Sequence, residues 1–437
     1  MLGAFVRAFR TPDLRNKLLF TLFILTIYRL GSVIPAPGIN SAAIRDQLEA
    51  VQAADSSGVY ALVNLFSGGA LLQLAVFALG IMPYITASII INLLTVVIPR
   101  LEALKKEGQA GQTKITQYTR YLTLALAVLQ STSIIAMART GQLFQGQIPV
   151  SSYMPNQDLL TLITIVFTMT AGTCIIMWFG ELITERGVGN GMSLLIFTTV
   201  IALFPSSIST MYQEQETWVF ALICAAGLIL IAGVVFIEQA QRRIPVQYAK
   251  RMVGRRMYGG SSTYIPLKVN QAGIIPVIFA SSLLYLPQLA IGLLGQDSDN
   301  AVVNFLNEYF VTGTHPVYMA AFFVMIVGFA FFYVAITFNP AEVADNMKKY
   351  GGFIPGIRPG RPTAEYLDYV LTRLTTPGSL YLGLIALLPM IAMGTSGASQ
   401  SFPFGGTSIL IMVGVGLDTV KQIESHLQQR NYEGFLR

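Results

Sequence analysis

Apolar residues gather along this chain into long blocks separated by short polar stretches. The blocks lie near 18–34, 74–98, 118–138, 158–180, 192–208, 217–237, 272–294, 316–338, 368–391 and 405–424. A helix needs roughly 20 apolar residues to cross a bilayer. The pattern therefore predicts an all-α integral membrane protein of about ten transmembrane helices. Gly, Ser and Pro dilute the seventh and tenth blocks. The first block follows a basic stretch but shows no small-residue cleavage site before Pro35-Ala36-Pro37-Gly38. It reads as an uncleaved first helix.

The polar stretches alternate in charge. Arg7, Arg10, Arg15 and Lys17 precede the first block, and Arg100, Lys105, Lys106, Lys114 and Arg120 separate the second from the third. Arg242, Arg243, Lys250, Arg251, Arg255, Arg256 and Lys268 fill one later loop, and Lys348, Lys349, Arg358, Arg361 and Arg373 fill another. The stretches between these hold Arg45 and Arg139 against Asp46, Glu49, Asp55, Asp158, Glu214, Glu216, Asp297, Asp299 and Glu308. This is the positive-inside pattern, and it predicts both termini and the loops 239–271 and 339–367 on the cytoplasmic side.

Ten spans divide into halves of five, 1–210 and 211–437. An odd number per half makes similar halves inverted relative to each other, a common way to build a membrane pathway. Gly80-Ile81-Met82-Pro83-Tyr84-Ile85-Thr86-Ala87-Ser88 in the second span parallels Gly273-Ile274-Ile275-Pro276-Val277-Ile278-Phe279-Ala280-Ser281-Ser282 in the seventh. Two ordinary kinked helices are the plain alternative.

Composition narrows the chemistry. The 437 residues are 53% hydrophobic and 11% charged, with net charge +6 confined to particular loops. Cys174 and Cys224 both lie within spans, and His315 and His426 near span ends, so no disulfide, metal or cofactor site is expected. Gly108 to Lys114 lacks the Gly-Lys step of a phosphate-binding loop. Mid-span regions are almost bare of ionisable residues. Arg29 lies toward one end of its span, and Glu181, Glu238 and Asp418 fall at cytoplasmic ends. A proton-coupled or solute transporter would show more of them. No Ser-Lys or paired-Asp arrangement suggests an intramembrane hydrolase, and no enzymatic activity is expected.

Some segments do not fit a plain spanning helix. Residues 60–72 are apolar, too short to cross and broken by Ser67-Gly68-Gly69. They read either as an interfacial helix or as a re-entrant stopper. Gly187-Val188-Gly189-Asn190-Gly191 and Asn270-Gln271 read as turns with helix caps. Arg242–Arg251 mixes basic, aromatic and apolar residues, and Phe353–Gly360 carries Arg358 on a stiff Pro/Gly turn, which looks built for contact.

Together these residues resemble the bacterial SecY family, the channel subunits of the general protein-secretion translocon. The resemblance rests on Tyr28-Arg29-Leu30-Gly31 with Ile34–Gly38, on Phe66–Leu71, and on Phe77–Ile85. It continues through Ile183–Gly187 with Gly189-Asn190-Gly191, Arg242–Arg251, Phe353–Gly360 and Gly405-Gly406-Thr407-Ser408. It implies an hourglass channel of two inverted five-helix halves. Ile81, Ile85, Met192, Ile196, Ile278 and Ile411 would form an apolar pore ring, with Met192 where the family usually has Ile. Residues 60–72, including Leu65, Phe66, Ser67, Gly68, Gly69 and Ala70, would form a plug. The second and seventh spans would form a lateral gate at Thr86, Ser88, Asn92, Ser281, Ser282 and Leu286, with hydrogen bonds across the seam. Arg242, Arg243, Lys250, Arg251, Arg255, Arg256 and Arg358 would dock partners. The implied partners are SecE, SecG, the SecA motor ATPase, the ribosome with its rRNA, signal sequences, secretory and membrane polypeptides, and membrane lipid. SecDF and YidC are further candidates.

Overall fold

A computed structural model describes residues 9, 11–44, 69–71, 73–141, 143, 149–214, 216–248, 251–253, 256–258, 262–294, 305, 309, 315–396 and 406–433. Each predicted span is occupied by a helix: α1 (Pro12–Gly31), α2 (Met82–Val97), α4 (Gln109–Arg139), α5 (Leu159–Arg186), α6 (Gly191–Glu214), α7 (Thr217–Gln239), α8 (Ile275–Leu294), α9 (Pro316–Thr337), α11 (Arg361–Ser396) and α12 (Gly406–Glu433). Two short polar helices, α3 (Pro99–Lys106) and α10 (Pro340–Lys349), join them.

Six helices, α4, α5, α6, α7, α9 and α11, are individually long and apolar enough to cross a bilayer. Helices α1, α2 and α12 fall short for readable reasons. Asp13, Arg15, Lys17 and Arg29 load the ends of α1, and Asp418, Lys421 and Glu424 load α12. Helix α2 has 16 residues, about 24 Å at 1.5 Å per residue, and α3 leaves it at 99°.

The missing length before α2 is supplied by turns at 69–71 and 73–81. Non-helical backbone at membrane depth must be enclosed by protein, and this stretch is: Ala70, Leu71, Leu74, Ala75, Ala78, Leu79 and Ile81 are all buried. Its amides find partners locally, Leu74 N to Leu71 O at 3.0 Å and Gly80 N to Phe77 O at 2.9 Å. It is also strapped to the segment after α1, with Ala36 N donating to Leu74 O at 3.0 Å and Val76 N to Ile34 O at 2.9 Å.

The kinked-helix reading of Pro83 and Pro276 is corrected by the backbone. Both prolines stand in the first turn of their helices, where the missing N–H costs nothing. Gly80 (φ 56°) and Gly273 (φ 62°) precede them in the left-handed region.

The described residues of the loop 239–271 form paired β-strands. Strand β1 (Gln241–Tyr248) pairs antiparallel with β4 (Ser262–Lys268), from Gln241↔Lys268 to Gln247↔Ser262. Strands β2 (Arg251–Val253) and β3 (Arg256–Tyr258) pair beyond it. From the other basic loop comes β5 (Gly352–Phe353), which adds to β1 at Gln247↔Phe353 and Tyr248↔Gly352. The two loops are thus one body. Its core joins Ile244, Val246, Leu267 and Ala272 to Ile354, Leu367, Val370 and Leu371.

The largest buried cluster lies among α4, α5, α8, α9 and α11, and reaches Tyr153 in a one-turn helix at Val150–Tyr153. The Tyr153 hydroxyl donates to the Ala138 carbonyl in the last turn of α4, which also accepts from Gly141 N at 3.1 Å. Tyr153→Phe should lower stability by about 0.5–1.5 kcal/mol, the net worth of one hydrogen bond, since the carbonyl keeps Gly141 N as a donor. The change is read as a lower unfolding midpoint in detergent.

Candidate functional site

The second buried cluster is assembled from residues far apart in sequence. Ile81 at the start of α2, Ile85 within it, Ile196 of α6, Ile278 of α8 and Ile411 of α12 all belong to it. None is more than 8% exposed. Aromatic rings from α1, α5 and α9 border it. Tyr28 stacks on Phe77 at 5.9 Å, Phe77 meets Phe179 edge-on at 6.5 Å, and Phe279 meets Phe329 edge-on at 5.8 Å. Met192 packs at the margin, half-buried. Its thioether lies over Gly180 of α5, where any added Cβ would collide with it. Five of the six ring candidates are therefore brought together, while Met192 leans toward the α5–α6 contact.

The turn ahead of α6 is the capped turn expected from Gly187–Gly191. Asn190 Oδ1 accepts from Met192 N at 3.1 Å and Ser193 N at 3.4 Å. Gly189 takes φ 91°, a conformation open to Gly at little cost. Gly191 N donates to Thr184 Oγ1 at 2.9 Å, and Val188 N donates to Thr21 Oγ1 of α1 at 3.2 Å. Two neighbouring helices, α1 and α5, thereby fix where α6 starts, and so where Ile196 stands.

Helix α8 packs against α2 and α4. The cross-seam hydrogen bonds expected of the gate residues are not what the described residues show. Thr86 Oγ1 donates to Met82 O at 3.0 Å. Ser281 Oγ and Ser282 Oγ donate to Ile278 O at 2.9 and 2.8 Å. Each hydroxyl proton is spent within its own helix, the usual resort of Ser and Thr among apolar neighbours. Ser88 and Asn92 are half-buried on α2. Leu286 lies on α8, with its side chain outside the described residues.

Of the plug candidates, Leu65, Phe66, Ser67 and Gly68 lie outside the described residues. Gly69, at φ 86°, faces Leu203 of α6, and Ala70 is buried. Among the docking candidates, Lys250 and Arg255 lie outside the described residues. Arg251 and Arg256 sit on β2 and β3, where only backbone is described. Arg242 and Arg243 are exposed on β1, and the Arg243 guanidinium lies 4.8 Å from the centre of the Tyr264 ring. Arg358 is exposed on a turn bounded by Gly356 (φ 84°) and Gly360 (φ 105°). Ile354 anchors that turn in the hairpin core, and Thr363 Oγ1 donates to Arg358 O at 2.9 Å.

Two polar pairs escaped the sequence reading. Arg120 of α4 grips Glu181 of α5 bidentately, Nε to Oε1 at 2.9 Å and Nη2 to Oε2 at 2.7 Å. Asn270 Nδ2 donates to Glu238 Oε1 at 2.6 Å. The available signal was that Arg120 and Glu181 occupy matching ends of adjacent spans, and that Glu238 and Asn270 flank one hairpin.

A bundle of apolar helices, with five isoleucines from α2, α6, α8 and α12 gathered into one buried cluster and a folded body at one end, defines a polytopic helical membrane protein. The SecY family model matches residues 75–420. The chain is 64% identical over 441 residues to Protein translocase subunit SecY of Streptomyces galbus. It is 59% identical over 444 residues to that of Mycobacterium tuberculosis (strain ATCC 25618 / H37Rv). Each match covers 100% of both chains. Among solved structures, it resembles a protein-conducting channel with TM-score 0.63 and 18% identity, covering 94% of this chain and 91% of that one. It also resembles Sec61 in a canine ribosome–channel complex with TM-score 0.59 and 16% identity, covering 94% and 91%. The chain belongs to the SecY family. It is a protein-conducting channel subunit and not an enzyme, and the solute-transporter alternative finds no support.

Asn190→Ala removes the α6 cap and should cost about 1 kcal/mol, whereas Asn190→Asp, a comparable cap, should cost little. Unfolding midpoints of the two variants in detergent check this.

Proposed function

We propose that this chain forms a gated pore in the bacterial cytoplasmic membrane, with both termini cytoplasmic, through which unfolded polypeptides leave. Halves 1–210 and 211–437 are related by inversion. Support comes from the shared starts of α2 and α8, each a left-handed Gly followed three residues later by Pro in the first helical turn. With spans alternating in direction, the second and seventh begin on opposite membrane faces.

The observation that carries the reading is the single buried cluster uniting Ile81, Ile85, Ile196, Ile278 and Ile411. A constriction of branched apolar side chains disfavours water and ions, yet offers no hydrogen bonds that would grip a particular sequence. It seals around unrelated polypeptides for the same reason. Residues 60–72 act as the plug, and α2 and α8 part to admit signal sequences and to release membrane helices into lipid.

The hairpin body bearing Arg242, Arg243 and Arg358 faces the cytoplasm and receives SecA or the ribosome. Its exposed cations suit rRNA phosphates and acidic motor surfaces alike. SecE clamps the halves, SecG completes the complex, and SecDF and YidC are accessory. Energy comes from the motor or from chain elongation.

The test is a crosslink. Cys174 and Cys224 are replaced, one cysteine is placed at Ile278, and a precursor stalled in transit carries another. A disulfide that requires both ATP and an intact signal sequence is expected. Absence of any crosslink at every register of the stalled chain, in folded and partner-bound protein, removes Ile278 from the pore.

A further inference from the structure

The hairpin base is a joint between two packed bodies. Ala272 belongs to the core of the hairpin body. Ile274, two residues later, already packs against the cluster holding the ring candidates. Along the chain the step from one to the other is Asn270–Gly273, while Tyr333 of α9 packs against both clusters. Asn270 is buried, and its Nδ2 donates to Glu238 Oε1 at 2.6 Å and to Gly273 O at 3.2 Å. Glu238 is itself buried at the end of α7. The same junction is held from other sides. Val269 N donates to Ala240 O at 3.0 Å. Lys268 Nζ pairs with Asp418 Oδ1 of α12 at 3.2 Å. Helix α11 presses close enough that a Cβ on Gly378 would lie 2.5 Å from the Val269 carbonyl oxygen.

We propose that the buried Glu238–Asn270 pair is a positioning element that locks the start of α8 to the hairpin body, so that a displacement of that body by a docked partner moves the gate helix. Gly273, at φ 62°, is the soft point of the joint, and without a lock beside it a push on the hairpin would be absorbed there. Asn270 bonds across that soft point in both directions, back to α7 and forward to Gly273. The inference rests on the channel reading above, with α8 as part of the gate.

The test uses the full chain, reconstituted with its partner subunits, and follows precursor moved per ATP hydrolysed by the motor. Glu238→Leu with Asn270→Leu replaces both partners by apolar groups, a change close to neutral for folding. The double variant should bind the motor with unchanged Kd and support its ATPase. Precursor moved per ATP should fall about tenfold, the weight of a charged hydrogen bond on a two-state equilibrium. Glu238→Gln keeps an acceptor for Asn270 and should restore most of the yield. Gly378→Ala, which crowds Val269 without touching either side chain, should uncouple in the same way and serves where the double variant does not fold. A wild-type yield per ATP in either folded variant overturns the proposal, as does a loss of motor binding, which would make the pair part of the docking surface. If the wild-type protein moves no precursor in the same vesicles, the channel reading has failed instead.

Discussion

A peptide group left unpaired in hydrocarbon costs several kcal/mol, and this constraint governs most of the architecture. Helices satisfy it alone, which is why the apolar blocks and the helices coincide. Where the chain departs from helix at depth, as in 73–81, it does so wrapped in protein, with its amides turned to Leu71, Phe77 and Ile34 carbonyls. The strands, whose edges would be intolerable in lipid, are confined to the polar loops. The same constraint acts on hydroxyls: Thr86, Ser281 and Ser282 turn back to their own helices.

That last point bears on how, in the channel reading proposed above, a gate between α2 and α8 would stay closed yet openable. With the hydroxyl protons committed within each helix, the described side chains do not zip the seam. Lipid tails are as apolar as the side chains they would replace, so no hydrophobic drive holds two helices together in a membrane. Close packing is left to do it. A seam of this kind has a small free-energy difference between its two states, and modest differential binding by a partner or a signal helix is enough to shift it. The polar residues on α2 and α8 then matter as groups that tolerate water or polypeptide when the seam opens.

The sequence made the helices legible because hydrocarbon thickness imposes a length and a composition on each. It made the α6 cap legible because Gly189 and Asn190 are turn and cap residues whatever surrounds them. The hairpin was harder to see. Ile244, Val246 and Tyr248 do alternate as a strand should, but Pro245 stands among them. The structure resolves the conflict: β5 reaches only Gln247 and Tyr248, so β1 has a free edge at Pro245, where a missing N–H is tolerated. Met192 sits at the margin of the isoleucine cluster for a different reason. Spacing puts it on the same helix face as Ile196, but its flexible thioether follows the space over Gly180. Pairs such as Arg120 with Glu181, 61 residues apart, depend on which helices become neighbours, and nothing local encodes that.

The merger of the two basic loops changes what a docking residue can do. Arg243 and Arg358 lie more than a hundred positions apart, yet one is carried by β1 and the other by a turn whose Ile354 sits in the same core as Ile244 and Val246. A force on either is a force on the same body. That body is continuous with α8 through β4 and with α11 through Leu367, Val370 and Leu371, so it cannot tilt without displacing helices. In the channel reading this removes the need for separate receptors for a motor and a ribosome. Two unlike partners that push on different cations load one lever, and the response is set by the joint at its base rather than by the details of either contact.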